Sequence, residues 1–152
     1  MPNESTEEQP LKPLAHDDSA VIKHMEMLQS IISRMAGNSA ACKNWAILLV
    51  SAILAFIVEG KQFELFWIAL IPGIMFYFLD AYYLMLENRF RASFNAGAEK
   101  LASGRFYRKD LFDIRGEGNQ PALWKKALLS PSTLPVYLTL LLIPIVIQQL
   151  AG

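Results

Sequence analysis

Residues 63–86 read FELFWIALIPGIMFYFLDAYYLML, a run apolar from end to end apart from Glu64 near its start and Asp80 near its end. As a helix it is long enough to cross the ~30 Å apolar core of a bilayer. A second apolar stretch, 45–58 (WAILLVSAILAFIV), lies just upstream, separated only by Glu59, Gly60, Lys61 and Gln62. So short a connection predicts a helical hairpin. A third stretch, 134–147 (LPVYLTLLLIPIVI), stands near the C-terminus.

Charge is distributed around these stretches asymmetrically. Of the 14 Lys and Arg, Lys12, Lys23, Arg34 and Lys43 precede the first stretch and nine lie between the second and third, leaving only Lys61 in the hairpin turn. An excess of Lys and Arg in alternate connections marks the cytoplasmic side of a membrane protein. The N-terminus and residues 88–133 are therefore expected in the cytoplasm, and the 59–62 turn outside. The C-terminus is expected outside if the third stretch spans. The 53% apolar content is concentrated in the three stretches, and 152 residues leave no room for a separate enzyme domain.

The remaining segments follow from periodicity and punctuation. Residues 1–17, with three prolines and several acids, read as a disordered acidic tail. Asp17, Asp18 or Ser19 is expected to cap a cytoplasmic amphipathic helix over 18–37. Along it Val21, Met25, Leu28, Ile32 and Met35 recur at spacings of four, three, four and three, a heptad seam of about two repeats. A helix that short needs a partner surface. The same helix in a neighbouring subunit, the cytoplasmic end of the second span or the membrane interface would each serve, with self-association favoured. Gly37 and Asn38 are expected to interrupt or bend the chain there.

The hairpin with its cytoplasmic helical extension is expected over 40–101, with Pro72-Gly73 a kink or a close helix–helix approach. Residues 102–133 form a basic cytoplasmic segment with a short helix near 122–129, and 134–149 form a third transmembrane helix, spanning or re-entrant. The fold class read from the sequence is thus an all-α integral membrane protein.

Catalytic patterns are absent. No nucleophile elbow, phosphate-cradling glycine loop or His/Cys pair at metal spacing occurs, and Arg115-Gly116-Glu117-Gly118 lacks the lysine and flanks of a phosphate loop. No enzyme activity, metal or cofactor is expected. Cys42 reads as a small buried residue, and His16 and His24 as water-facing. Asp80 stands out, because an ionisable group inside an apolar stretch is costly and often functional. Folding the hairpin about its turn sets Asp80 opposite Ala41, within a helical turn of Lys43. An intramembrane Lys43–Asp80 pair would fix the register. Tyr77, Asp80, Glu87 and Arg91 also share one helical face, which with Lys43 could line a water-filled path between subunits. The two roles are compatible. Segment 88–133 carries nine basic residues against Glu99, Asp110, Asp113 and Glu117, a local balance of +5. Within it Arg105, Arg108, Lys109, Arg115, Lys125 and Lys126 are candidate contacts for an anionic regulator or for lipid headgroups.

Two blocks carry a resemblance. They are 28–56 (LQSIISRMAGNSAACKNWAILLVSAILAF) and 79–91 (LDAYYLMLENRFR). Arg34, Met35, Asn38 and Ser39, then Lys43 and Trp45, then Leu79, Asp80, Tyr82, Tyr83 and Leu84, then Glu87, Phe90 and Arg91 match a pattern of small bacterial two-to-three-span membrane proteins. DLFDI at 110–114 and SPST at 130–133 are also similar. The chain so resembles membrane effectors found with nucleotidyltransferases in anti-phage systems, the Hailong type among them. That resemblance implies a homo-oligomeric channel of the bacterial inner membrane, taken here as a tetramer. A nucleotide or short oligonucleotide made by a partner nucleotidyltransferase would gate it, in an abortive response to infection. The competing expectation is a non-conducting membrane anchor or adaptor that recruits a cytoplasmic partner. A transporter is disfavoured, since three short spans hold no internal repeat.

Overall fold

A computed structural model describes residues 12–151, and among them every regular element is helical. Helix α1 runs unbroken over Ser19–Glu59, 41 residues, or roughly 60 Å and about twice the thickness of a bilayer core. Asp18 caps it, its Oδ1 accepting the Ala20 N–H at 2.8 Å. The interruption expected at Gly37 and Asn38 is absent. A mid-helix glycine costs about 1 kcal/mol relative to alanine, and one buried stripe on both sides of it outweighs that. The stripe runs from Val21, His24, Leu28 and Ile32 through Ser39, Cys42 and Ala46 to Val50, Leu54 and Ile57.

The chain reverses at Gly60–Gln62, where the Gly60 and Gln62 N–H groups donate to Phe56 and Ile57 carbonyls at 3.0 Å each. Lys61, not Gly60, holds the left-handed conformation at φ 51°. A single 3-10 turn, Phe63–Leu65, leads into α2, Phe66–Ala102. Helix α2 continues through Pro72. A Cβ on Gly73 would lie 3.1 Å from Leu141 Cδ2 and 3.8 Å from Val50 Cγ2, so Pro72-Gly73 marks a close approach rather than a break. A 3-10 turn at Arg108–Phe112, helix α3 at Gln120–Leu128 and helix α4 at Leu134–Ala151 complete the chain. Helix α4 has 18 residues, close to 27 Å at 1.5 Å each.

Helices α1, α2 and α4 share a core of Ala46, Val50, Leu54, Ala69, Tyr137 and Leu140, and α3 packs Ala127 on Ala81 and Met85. At the other end of the hairpin the heptad seam is spent inside the chain's own fold. Val21, Leu28 and Ile32 are buried there, and Met25 lies against Gly97 of α2. Phe106 closes over this end, its ring 5.9 Å from that of His24. The seam has therefore taken the second of the partners its periodicity allowed, and His24 faces the protein interior rather than water. Residues 1–11 of the expected acidic tail lie outside the described residues. The rest of it lies on the fold at Leu14, whose N–H donates to the Phe106 carbonyl at 2.7 Å.

The outer faces of the two halves differ. Around the N-terminal half of α1, Lys23, Glu26, Gln29, Ser33 and Arg34 are exposed. Around the other half the exposed residues are large and apolar, among them Phe56 at 79%, Trp67 and Ile71 at 64% and Trp45 at 55%. Both α1 and α2 hold a window long and apolar enough to cross a membrane.

Candidate functional site

The densest polar cluster sits where the polar and apolar halves of the hairpin meet. Ser39 and Lys43 are one turn apart on α1 and face Asp80 of α2. Lys43 Nζ donates to Asp80 Oδ1 at 2.9 Å and lies 2.7 Å from Oδ2. Ser39 Oγ donates to the same Oδ1 and accepts from Lys43 Nζ at 3.1 Å. Asp80 is 0% exposed, whereas the Lys43 side chain keeps 19% of its surface. A buried carboxylate survives only when paired and hydrogen-bonded, and this one has both. Tyr137 of α4 is buried beside this junction, its ring 5.5 Å from that of Tyr77 on α2. The Tyr137 hydroxyl is buried without a geometric hydrogen bond, as is Thr133 Oγ1 in the turn just before α4. The cluster thus touches three helices and locks α1 to α2 at one register.

The other residues expected on this face do not continue a polar path. The Tyr77 hydroxyl donates to the Leu128 carbonyl at 3.0 Å, tying α2 to the end of α3. Glu87 pairs along its own helix with Arg91, Nε to Oε1 at 2.7 Å. Glu87 is buried and Arg91 exposed. Asp80 faces the inside of the subunit, so the shared face of α2 is divided among three separate contacts.

The six basic candidates fall into two groups. Arg105, Arg108 and Lys109 are exposed on the loop that follows α2. Lys109 Nζ lies 5.8 Å from the Tyr107 ring centre. Lys125 and Lys126 occupy the last turn of α3. That turn packs at Ala81 and Met85, while the loop packs near Gly97, so about 20 Å of α2 separates them. Arg115 is already paired with Asp113, Nε to Oδ1 at 3.1 Å, and is not a free cation of either group.

Four residues to which the sequence reading gave no site role hold this geometry together: Ser39, Tyr137, Arg89 and Ser93. Arg89 Nη2 donates to the Gly116 carbonyl at 2.6 Å. Ser93 Oγ donates to the Arg115 carbonyl and accepts the Glu117 N–H, both at 2.9 Å. The stretch 115–117 is thereby fastened to α2. Further along, Lys100 Nζ donates to Asp110 Oδ1 at 2.9 Å, and Asp110 Oδ2 accepts the Tyr107 N–H at 2.8 Å. Burial alone would push the Asp110 carboxyl up, but Lys100 and that N–H outweigh it and hold the carboxyl below its ordinary value. The Arg115 guanidinium does the same to Asp113. No protein-family model, curated protein or solved structure matches the chain.

Proposed function

We propose that the protein is a multi-pass protein of the bacterial inner membrane with a cytoplasmic N-terminus. It works there as a homo-oligomeric ion channel, an effector of anti-phage defence gated by a nucleotide-derived signal. The membrane part rests on the girdle of exposed large apolar side chains around α1, α2 and α4. A surface of that extent on a protein in water would drive association. The channel part rests chiefly on one observation. Both long helices pass without a break from the polar half to the apolar half, and the Ser39–Lys43–Asp80 cluster sits at the crossing. A ligand that displaces the polar half therefore acts directly on a buried charge pair and on the packing beyond it. The basic loop at Arg105, Arg108 and Lys109 is the place for an anionic signal, and the resemblance drawn from the sequence makes that signal nucleotide-derived. Oligomer contacts would use faces other than the seam, since Val21, Leu28 and Ile32 are buried within the subunit.

One observation favours a second reading, a non-conducting anchor or adaptor. Asp80, Tyr77 and Glu87 are all engaged inside the subunit, which leaves no polar face to line a path. Conductance of the purified protein in a planar bilayer, with and without short oligonucleotides, separates the two. Channel steps that change with oligonucleotide and vanish in Asp80→Ala support the effector. An intact oligomer by native mass spectrometry that never conducts overturns it in favour of the anchor.

A further inference from the structure

The two basic groups differ in what surrounds them. The loop carrying Arg105, Arg108 and Lys109 also carries Asp110 and Asp113, each already in an ion pair. From Gly118 to Gly152 the chain contains no Asp or Glu, and neither Lys125 nor Lys126 takes part in an ion pair among the described residues. Two adjacent ammonium groups therefore stand without a counter-charge.

Their position on the fold is equally specific. The inner face of α3, with Leu123, Trp124, Ala127 and Leu128, packs on α2 around Ala81 and Met85. Ala81 lies 18 residues along the chain from Phe63, so α3 docks roughly 27 Å from the start of the 3-10 turn that leads into α2, near the ~30 Å depth at which an apolar core gives way to headgroups. Trp124 and Tyr82 face each other there with ring centres 6.2 Å apart, the kind of aromatic pair that favours a membrane–water interface. On the outer face, Ala122, Lys125, Lys126, Leu129, Ser130 and Pro131 line an open hollow. Leu129 is 58% exposed, one turn from the two lysines, so cationic and apolar surface adjoin. The Ser130 and Ser132 hydroxyls lie 3.0 Å apart beside them.

We infer that the outer face of the last turn of α3 is a binding site for the phosphate of an anionic phospholipid. Lys125 and Lys126 hold the phosphate, Ser130 faces the glycerol region, and Leu129 contacts the acyl chains. This inference rests on the membrane reading above and reassigns these two lysines from a soluble regulator to a lipid. Lysines near an anionic surface are attracted to it, so the pair should favour an anionic over a zwitterionic lipid by roughly tenfold or more.

The test is native mass spectrometry of the full chain released from bilayers of mixed phosphatidylglycerol and phosphatidylcholine. The wild type should retain phosphatidylglycerol roughly tenfold over phosphatidylcholine. Lys125→Gln with Lys126→Gln should abolish that preference, and Arg at both positions should keep it. Lys23→Gln, on the exposed face of the polar half, should leave it unchanged. Equal retention of the two lipids by the wild type, with the protein inserted, overturns the lipid site and leaves the membrane reading standing. Displacement of the lipid by millimolar inorganic phosphate overturns it in favour of a soluble anion. Failure to insert into any bilayer overturns both.

Discussion

The hairpin has two halves built on the same two helices and the same buried stripe, and they are held together by different forces. In the polar half Val21, Leu28 and Ile32 of α1 and Phe106 are buried, and Met25 lies against Gly97 of α2. There the alternative for each side chain is water, and full burial of one such residue is worth about 1.5–3 kcal/mol. In the apolar half small residues, Ala46, Ala69, Gly73 and Ala81, are interleaved with the large Val50, Leu54, Tyr137 and Leu140, and Ser39 and the Lys43–Asp80 pair lie at its edge. Between helices in lipid no hydrophobic drive remains, and association falls to close packing and polar contacts. On the proposed membrane reading, the two ends of one continuous interface therefore answer to different solvents.

The largest expected effect lies at the junction. Removing one partner of a buried ion pair typically costs about 3–5 kcal/mol, because the other charge is left buried and alone. Asp80→Ala should cost that much in reversible unfolding in mixed micelles. Lys43→Met combined with Asp80→Leu should recover most of it, since no buried charge is then left unpaired. A loss for Asp80→Ala within about 0.5 kcal/mol, as for an ordinary surface change, would mean that the pair does not hold the halves in register.

The comparison itself is tested by one substitution at two places. Leu28→Ala in the polar half should cost about 2–5 kcal/mol, the sum of lost transfer from water and the cavity left behind. Leu54→Ala in the apolar half forfeits the packing but little transfer, since lipid is as apolar as leucine. It should cost about half as much. Equal costs in a bilayer-like medium would erase the distinction.

Much of this was legible. The hairpin followed from two apolar runs and a four-residue turn, and turn-centred counting set Asp80 within a helical turn of Lys43, to which its carboxylate now lies 2.7 Å away. What escaped had physical reasons. A heptad seam over 21–35 specifies an apolar partner but not whose, and here α2 of the same chain extends far enough to supply it. Gly37 and Asn38 looked like a break because local propensity opposes helix there, yet packing on either side decided the outcome. Tyr137 carried a weak signal, one of two hydroxyls, with Thr139, in the third apolar stretch. Arg89 and Ser93 carried none, because the loop carbonyls they bind are brought near only by the fold.

Glycine offers a finer probe of the same contrast. At Gly73, where three helices meet, a leucine would overfill the contact with Leu141 and Val50 and should cost about 1–3 kcal/mol. At Gly37 an added Cβ meets nothing within 4 Å. Gly37→Ala should therefore stabilise α1 by up to about 1 kcal/mol. Thermal midpoints of the two variants moving in opposite directions would support the close approach at one site and open space at the other. A shift of the same sign in both would refute it.

The smallest effect belongs to the edge of the polar half, where Asp110 joins the loop to α2. Its carboxyl titrates below its ordinary value in the folded protein, so the stabilisation it provides is complete above about pH 4, the ordinary aspartate range. It is lost as pH falls through the lowered native value. Nothing should change between about pH 5 and 8 from this group. Lys100 is half exposed, and an ion pair open to solvent contributes little, so global unfolding is a poor readout. Hydrogen exchange at the Tyr107 amide is a better one, because that N–H donates directly to Asp110 Oδ2. Its protection should fall below about pH 4, while amides of α1 near Val50, remote from any titrating carboxylate of the loop, keep theirs. Asp110→Asn should lower the Tyr107 protection at neutral pH and remove most of its acid dependence. Unaltered Tyr107 protection down to pH ~2 in the wild type would show that the loop is held by Arg89 and Ser93 alone, and that the charge pair at the far end of α2 adds nothing to it.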